Sequence, residues 1–377
     1  MDTQLLGGIP PDRFLADYWQ KKPLLIRGAV PGFKGVISNE ALFKLARHAD
    51  VESRLVRQDT QGWELRHGPQ RAADLRRQGA PWTVLVQGVN LWDDAADALM
   101  RRFNFIPQAR LDDLMVSYAI DGGGVGPHVD DYDVFLLQGQ GQRRWQIGQQ
   151  DDRTLIDDAP LKVLAHFTPS QEWVLDPGDM LYLPPQWAHN GIAIGECTTY
   201  SIGFRTPSVH ELCTEFLNYL QERLHLDGLY ADPELRSQRN SARIPTPMAS
   251  KVERMTRRLR WRRKDVADFL GHYLSEPKAS VFFDPPDTPL GERSFATRIR
   301  RDGVRLDRRS ILLFQRGRFY LNGERQHVDI PERKRFKLLA HARALPATAL
   351  TGADTATIAL LYGWYVDGFV HPGSDHG

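Results

Sequence analysis

Three residues in the first two hundred have the types and spacing to hold one metal ion. His128 and Asp130 stand two apart in GPHVDDYDV, so on a strand, where side chains alternate, the imidazole and the carboxylate share a face about 7 Å apart along the backbone. His189 lies 59 residues beyond Asp130 in PPQWAHNG, just after the strand-like run Met180 to Leu183. Two imidazoles and one carboxylate on one side of an ion, with the other side open, make the facial triad of non-haem Fe(II) oxygenases. A His-x-Asp pair alone is a weak signal, since it equally describes two surface side chains or an orienting hydrogen bond, and the chain has 12 histidines. Its surroundings strengthen it. A glycine run ends at Pro127 directly before the first ligand, Arg143 follows at a useful distance, and a PGD-strand-PP pattern brings the third ligand from a separate strand.

The elements that must position these groups read as a series of short strands. Asp113 to Ile120 and Trp82 to Val89 are rich in β-formers. The exit of the first, Asp121-Gly-Gly-Gly, lets the backbone approach a ligand with no Cβ in the way. No helix follows Gly124-Val-Gly126, so it is not a dinucleotide fingerprint. Val129 to Gln138 and Gln142 to Gly148 are expected to pair as a hairpin around Gly139-Gln-Gly141. Further strands are expected at Leu24 to Ile26, Leu161 to Phe167, Glu172 to Leu175, Met180 to Leu183 and Thr198 to Phe204, and a hairpin over Val51 to Leu65 with Asp59 to Gly62 as its turn. Helices are expected near Phe14, over Ile37 to Ala49 behind a Ser38 cap, and over Asp93 to Phe103. Many short strands punctuated by Gly and Pro argue for a double-sheet jelly roll of the cupin type.

The chain of 377 residues exceeds one typical domain. Hydrophobic content is 41%, no run approaches 18 consecutive apolar residues, and MDTQLLGGIPPDRF lacks the pattern of a signal peptide, so no membrane role and a cytoplasmic location are expected. Cys197 and Cys213 sit in no zinc-like cluster. The net charge of +2 is uneven, because residues 281–345 hold 15 Lys/Arg against 8 Asp/Glu. Val209 to Leu226 and Ala249 to Leu274 read as helices, and Lys251 to Lys264 contains eight basic residues with Glu253 as its one acid. Such a run is a solvated helix face or a nucleic-acid contact. Phe295 to Val370 holds a hairpin signal at Asn322-Gly323, flanked by helices around Glu332 to Ala344 and Thr355 to Val366. That is a winged-helix-like arrangement, or a packing module with no nucleic-acid partner.

YWQKKPLLIRG, DDLMVSYAIDGGGVGPHVDDYDVFLLQGQGQRRWQIG, PGDMLYLPPQWAHNG and TTYSIGFRTP together resemble the JmjC-type 2-oxoglutarate oxygenases, and within them the bacterial ribosomal oxygenases that hydroxylate an arginine of a large-subunit ribosomal protein. The resemblance implies an α+β chain: a double-stranded β-helix (cupin, jelly-roll, JmjC) catalytic domain over residues 1–207, a helical dimerisation segment over 208–276 and a small winged-helix-like domain over 277–377. It makes His128, Asp130 and His189 the ligands of Fe(II). It makes Arg143 the grip on the distal carboxylate of 2-oxoglutarate, with Ser117 hydrogen-bonding the same group. The chemistry agrees, since a guanidinium offers a carboxylate two parallel hydrogen bonds. Arg143 also shares a strand face with Trp145 and Ile147, where a merely solvated charge would be badly placed.

The reaction so implied is oxidative decarboxylation of the keto acid to succinate, coupled to hydroxylation of a substrate carbon. A guanidinium substrate would need acids and aromatic surface near the iron. Asp121, Asp131, Asp133 and Tyr132 are neighbours in sequence, and strand alternation favours Tyr132 first, then Asp121. The implied partners are the ribosomal protein as substrate and a second copy in a homodimer. Nucleic acid at the basic carboxyl-terminal end is a further possible partner. Two other readings remain open: hydroxylation or demethylation of a histidine or lysine on the same barrel, and a non-enzymatic metal-sensing cupin with a nucleic-acid-binding end.

Overall fold

In a computed structural model that describes residues 3–60, 62–76 and 79–373, the chain divides after Thr206 into two compact units. The first unit is a sandwich. Its strands are β1 (Leu24–Ile26), β2 (Ser53–Asp59), β3 (Gly62–His67), β4 (Trp82–Val86), β5 (Leu111–Ala119), β6 (His128–Val129), β7 (Val134–Gln138), β8 (Gln142–Gly148), β9 (Gln171–Leu175), β10 (Met180–Leu183), β11 (Ala188–Ile194) and β12 (Cys197–Phe204). Eight of them form one sheet in the order β1-β10-β7-β12-β5-β4-β2-β3, and four form the other, β6-β11-β8-β9. Every pairing is antiparallel. The expected jelly roll is present. The turn between β2 and β3 includes Gln61, which lies outside the described residues.

Alternation decides which side chain faces which layer. On β7, Phe135 and Leu137 join the core behind the large sheet, where helices α1 (Pro11–Asp17), α2 (Asn39–Ala46) and α3 (Asp94–Arg101) lie. Val134 and Leu136 point the other way and pack between the sheets against Trp145, Ile147 and Leu175. Ser38 caps α2 through its side chain and Asp93 caps α3 likewise, which fixes where the helices begin.

Two expectations about this unit are corrected. Residues 139–141 do not close a hairpin: β7 pairs with β10 and β12 in the large sheet, while β8 pairs with β9 and β11 in the small one. The glycine chemistry that suits a tight turn also suits a sheet switch. Here it is held by β12, with Gly139 N donating to Thr198 O and Thr198 N to Gln140 O at 2.8 and 2.9 Å. Leu161 to Phe167 is not a strand. It contributes one bridge, Leu164 to Leu155, and its Val163 and Leu164 are buried without a ladder.

The second unit begins with α4 (Val209–Gln221), α5 (Thr246–Thr256) and α6 (Arg263–Ser275). The single helix expected over Ala249 to Leu274 is two, broken at 257–262. After them come α7 (Glu292–Asp302), unanticipated in the sequence, β13 (Val304–Leu306), β14 (Leu312–Gln315), β15 (Arg318–Leu321), β16 (Glu324–Gln326), α8 (Arg333–Ala342), β17 (Ala344–Leu345), α9 (Thr355–Val366) and β18 (Val370–Pro372). The Asn322-Gly323 hairpin forms as expected, both residues at positive φ. Contacts of α6 cross position 276, since Asp268 accepts hydrogen bonds from Tyr219 of α4 and Tyr320 of β15 at 3.0 and 2.6 Å. No described helix is long and apolar enough to cross a membrane.

The sheet switch yields a first prediction. Gly141 has φ +63°, and a Cβ there would run into the Glu196 carbonyl oxygen. Gly141→Ala should lower stability by more than about 1 kcal/mol, seen as a lower urea midpoint with an unchanged slope. A midpoint equal to wild type would mean the crossing does not need its glycine.

Candidate metal and keto-acid site

Register builds the metal site. His128 on β6 sits directly opposite His189 on β11, and His189 is in turn opposite Ile147 on β8. His189 does not hang from the end of the Met180–Leu183 strand but lies on a strand of its own, AHNGIAI, whose polar start and interior glycine hide it in the sequence. Gly191 is needed there, as a Cβ would meet the Trp145 ring at 2.7 Å. The two imidazole centroids are 4.2 Å apart. Asp130, just past the end of β6, brings Oδ2 to 3.8 Å from His128 Nε2 and 3.6 Å from His189 Nε2. One donor atom from each residue lies within 4.8 Å of the others, and among the described residues this is the one such group of three or more.

The donors are prepared as ligands. His128 Nδ1 lies 2.9 Å from Gly126 O and His189 Nδ1 lies 3.0 Å from Trp187 O. A carbonyl can only accept, so Nδ1 carries the proton in each ring and Nε2 keeps its lone pair toward the shared point. Burial, followed by the neighbouring His128, pushes the His189 pKa down to about 4, so its ring is neutral at physiological pH. A neutral imidazole is the form that binds a metal. Two nitrogens and a carboxylate oxygen fit Fe(II) in a facial arrangement.

Arg143 lies on β8 and is 5% exposed. Its Nε and Nη2 are buried without a hydrogen-bond partner, and its guanidinium stands 5.8 Å from the Trp145 ring centroid. Buried donors of a charged group are costly to leave unmade, so the arrangement suits an incoming carboxylate. Ser117 of β5 is buried and lines the same cavity, which holds about 500 Å³. His128, Asp130, His189, Arg143 and Ser117 are therefore brought together as the sequence suggested.

The substrate side differs from expectation. Tyr132 does line the cavity, at 41% exposure, but from a loop beyond β6 and not from a strand. Desolvation and then the Asp130 carboxylate raise its phenol pKa. Asp121 is turned away: it is exposed and accepts a hydrogen bond from Gly195 N at 2.8 Å. Asp133 is buried in the core, accepting from Tyr182 Oη at 2.6 Å and Gln20 Nε2 at 2.9 Å, and Asp131 pairs with Gln186. Besides Asp130, the acids that line the cavity are Asp112 and Asp113 of β5, Asp112 paired with Arg205 and Asp113 accepting from Gly88 N at 3.0 Å. Sequence reasoning passed over them, although they open the same DDLMVSYAI run that supplies Ser117.

This geometry can be set beside known proteins. The JmjC domain family matches residues 98–212, and the ROXA-like winged helix matches residues 258–371. Over 357 residues the chain is 33% identical to the ribosomal protein uL16 3-hydroxylase of Escherichia coli, covering 93% of this chain and 94% of that one. The chain belongs to the JmjC ribosomal oxygenases. This oxygenase is also 42% identical over 217 residues to a probable ribosomal oxygenase of Haemophilus influenzae, covering 56% of this chain and 54% of the other. Among solved structures, a crystal structure of E. coli ycfD matches the oxygenase with a TM-score of 0.85 at 31% identity, covering 96% and 98% of the two chains. A structure of YcfD in complex with cobalt and 2-oxoglutarate matches at 0.82 and 31% identity, with the same coverage.

The triad yields the second prediction. His189→Ala should weaken Co(II) or Fe(II) binding by more than the roughly 10- to 100-fold that follows loss of an outer-sphere partner, measured by titration calorimetry on the metal-stripped protein. Retention of one tightly bound metal per chain in the variant would place the ion elsewhere.

Proposed function

We propose that this chain hydroxylates an arginine side chain of a large-subunit ribosomal protein, using Fe(II) held by His128, Asp130 and His189 and 2-oxoglutarate anchored by Arg143 and Ser117. The observation that carries it is the buried, unpaired Arg143 beside the triad, in a chain related along nearly its whole length to a uL16 hydroxylase. When bound, iron and keto acid supply oxidative decarboxylation to succinate and carbon dioxide, coupled to placing one oxygen atom of dioxygen on a substrate carbon.

The protein's part is placement. Arg143 holds the distal carboxylate through Nε and Nη2, and the Ser117 hydroxyl donates to the same group. The backbone carbonyls of Gly126 and Trp187 keep both imidazoles in the tautomer that leaves Nε2 free. Val134, Leu136 and Trp145 line the cavity at the Arg143 side, lowering the local dielectric so that a charge-assisted hydrogen bond there is stronger than in water. For the substrate, Tyr132 offers a face for a guanidinium to stack on. An aromatic face of this kind favours a substrate that stays charged, which supports arginine over a neutral histidine.

We further infer that the helical segment over residues 208–276 pairs two copies of the chain. Val209 and Leu217 of α4 and Met248 and Val252 of α5 are exposed, more apolar surface than a helix facing only water usually shows.

Two outcomes test the reading. Arg143→Ala should lose about 1.5 to 3 kcal/mol of keto-acid binding, about 10- to 100-fold in Kd, with metal binding little changed; equal 2-oxoglutarate affinity would mean another anchor. Matched ribosomal-protein peptides carrying arginine, lysine or histidine at the target position, with succinate release and an added oxygen mass as readouts, test the substrate. Only the arginine peptide should be modified, and modification of the histidine or lysine peptide instead would move the chain to another specificity on the same barrel.

A further inference from the structure

The cavity that holds the triad and Arg143 extends past them. Strand register lays one row of side chains across the inner face of the large sheet: Thr199 of β12, Ser117 of β5, Leu85 of β4, Arg54 of β2 and His67 of β3. All five line the cavity. Their exposure rises along the row, since Thr199, Ser117 and Leu85 are buried, Arg54 is half-buried and His67 is exposed. The cavity therefore opens toward β3, the edge strand of the sheet. At about 4.8 Å per strand, the Arg54 backbone stands about 10 Å from that of Ser117. Arg54 thus belongs to the mouth and not to the seat of the keto acid.

Nothing in the fold pairs with this arginine. Its Nε is buried without a hydrogen-bond partner, and among the described residues no carboxylate forms an ion pair with it. Arginines on the outer face of the same two strands are treated differently: Arg57 of β2 and Arg66 of β3 both pair with Glu64, at 3.6 and 3.0 Å. Two diagonal neighbours on β4 share the condition of Arg54. Thr83 and Gln87 flank Leu85 on the cavity face, and Thr83 Oγ1 and Gln87 Oε1 are buried with no partner. Thr83 is 1% exposed. Diagonal neighbours on one face of a sheet lie within reach of long side chains. Buried polar atoms are costly to leave unsatisfied, so three together at one mouth are best explained by an incoming group.

The chemistry of the three narrows that group. A guanidinium can only donate, a carboxamide oxygen can only accept, and a hydroxyl does either. An anion would satisfy Arg54 but would be set against the Gln87 oxygen. A guanidinium would suit Gln87 but would be repelled by Arg54. A polypeptide main chain offers both complements, a C=O and an N–H on each residue other than proline. A side chain that enters from the β3 edge also draws its own main chain into the mouth, where those groups lose water and need partners.

We propose that Arg54 and Gln87 dock the main chain of the substrate polypeptide at the mouth of the cavity, Arg54 Nε donating to a backbone carbonyl oxygen and Gln87 Oε1 accepting from a backbone N–H, with the Thr83 hydroxyl beside them. The inference rests on the reading that the cavity takes a side chain of a protein. It holds whichever side chain that is, because contacts to the main chain are blind to residue type. Selection of the target residue is then left to the inner part of the cavity, and the mouth sets how far the chain can enter.

The experiment uses the full chain with Mn(II) and 2-oxoglutarate in the absence of dioxygen, and follows fluorescein-labelled arginine, lysine and histidine versions of the ribosomal-protein peptide by anisotropy. Arg54→Met should weaken binding of the peptide that the wild-type chain takes by roughly 10- to 100-fold. Its 2-oxoglutarate affinity should match wild type, and its Tm should not fall, because the guanidinium has no partner in the chain to lose. Arg54→Lys should recover most of the affinity, since one carbonyl needs one donor. Gln87→Leu should cost roughly 3- to 10-fold. In turnover with Fe(II) both losses should fall on the peptide KM and not on kcat, as removal of uniform binding does. Peptides methylated at one backbone nitrogen at a time identify the Gln87 contact: one position should weaken binding to wild type yet bring no further loss in Gln87→Leu. Peptide affinity unchanged in Arg54→Met overturns this proposal alone. So does a fall in Tm that accompanies the lost affinity, the lack of any methylated position coupled to Gln87, or an Arg54 effect that vanishes when an acidic side chain of the peptide is replaced by alanine. No binding of any of the three peptides to the wild-type chain overturns the hydroxylase reading with it.

Discussion

A guanidinium enclosed between two sheets with two of its donors unpaired is the constraint on which the catalytic unit turns. Removing a charge from water without a partner costs several kcal/mol, and Arg143 is held in that condition by Trp145, Ile147 and Leu175 packed around β8. The protein tolerates this because β8 is fixed on both sides, with Arg143 opposite Ala193 of β11 and Leu175 of β9. The same β11 carries His189 opposite His128. Anchor and metal ligands are therefore set by one register. A slip of one residue in β11 would turn His189 to the outer face and would set a new residue opposite Arg143. The glycine at 191 beneath Trp145 shows how closely that register is packed.

How much of this is legible in the sequence follows from range. His128, Arg143 and Ser117 belong to strands whose alternation is local, and Asp130 follows His128 by two just past the end of β6, so facing could be read directly. The switch at Gly139-Gln-Gly141 could not, because a positive-φ glycine such as Gly141 serves a hairpin and a sheet crossing alike, and only the distant partner Thr198 distinguishes them. Asp121, Asp131 and Asp133 look equivalent by neighbourhood. They separate by long-range partners: Gly195, Gln186, and the Tyr182–Gln20 pair. Burial even raises the Asp133 pKa against those hydrogen bonds, a core role that no short motif announces. Residues 161–167 carry strand-forming side chains but find no neighbour beyond the bridge at Leu164, where tertiary context overrides propensity.

The second unit is organised by a different interaction. Asp268 on α6 gathers Tyr219, Tyr320 and Arg318, with Arg325 at 3.8 Å. Burial acts to raise its pKa, but these donors and cations outweigh it, and the carboxyl is held below its usual value. The two tyrosines answer in the opposite direction, their pKa values pushed up to about 12, first by burial and then by the shared carboxylate. One charge thus ties α4, α6 and the hairpin into a single body. The sequence shows an Asp among apolar helix positions and nothing more, since the three side chains that donate to it lie 49 to 52 residues away.

In the sandwich a local rule is broken: Arg143 is a buried cation with two donors left unpaired. Other local problems in the chain are solved with the expected residues: Ser38, Asp93, Ser208 and Asp354 cap their helices, and Asn322-Gly323 fills its turn with the residues that turn prefers. A sequence that solves these five problems well and leaves Arg143 unpaired is under another requirement at that position. Uncompensated positive charge in an enclosed cavity is relieved by an anion, and a single carboxylate, as in the keto acid proposed for this site, matches the fork of a guanidinium.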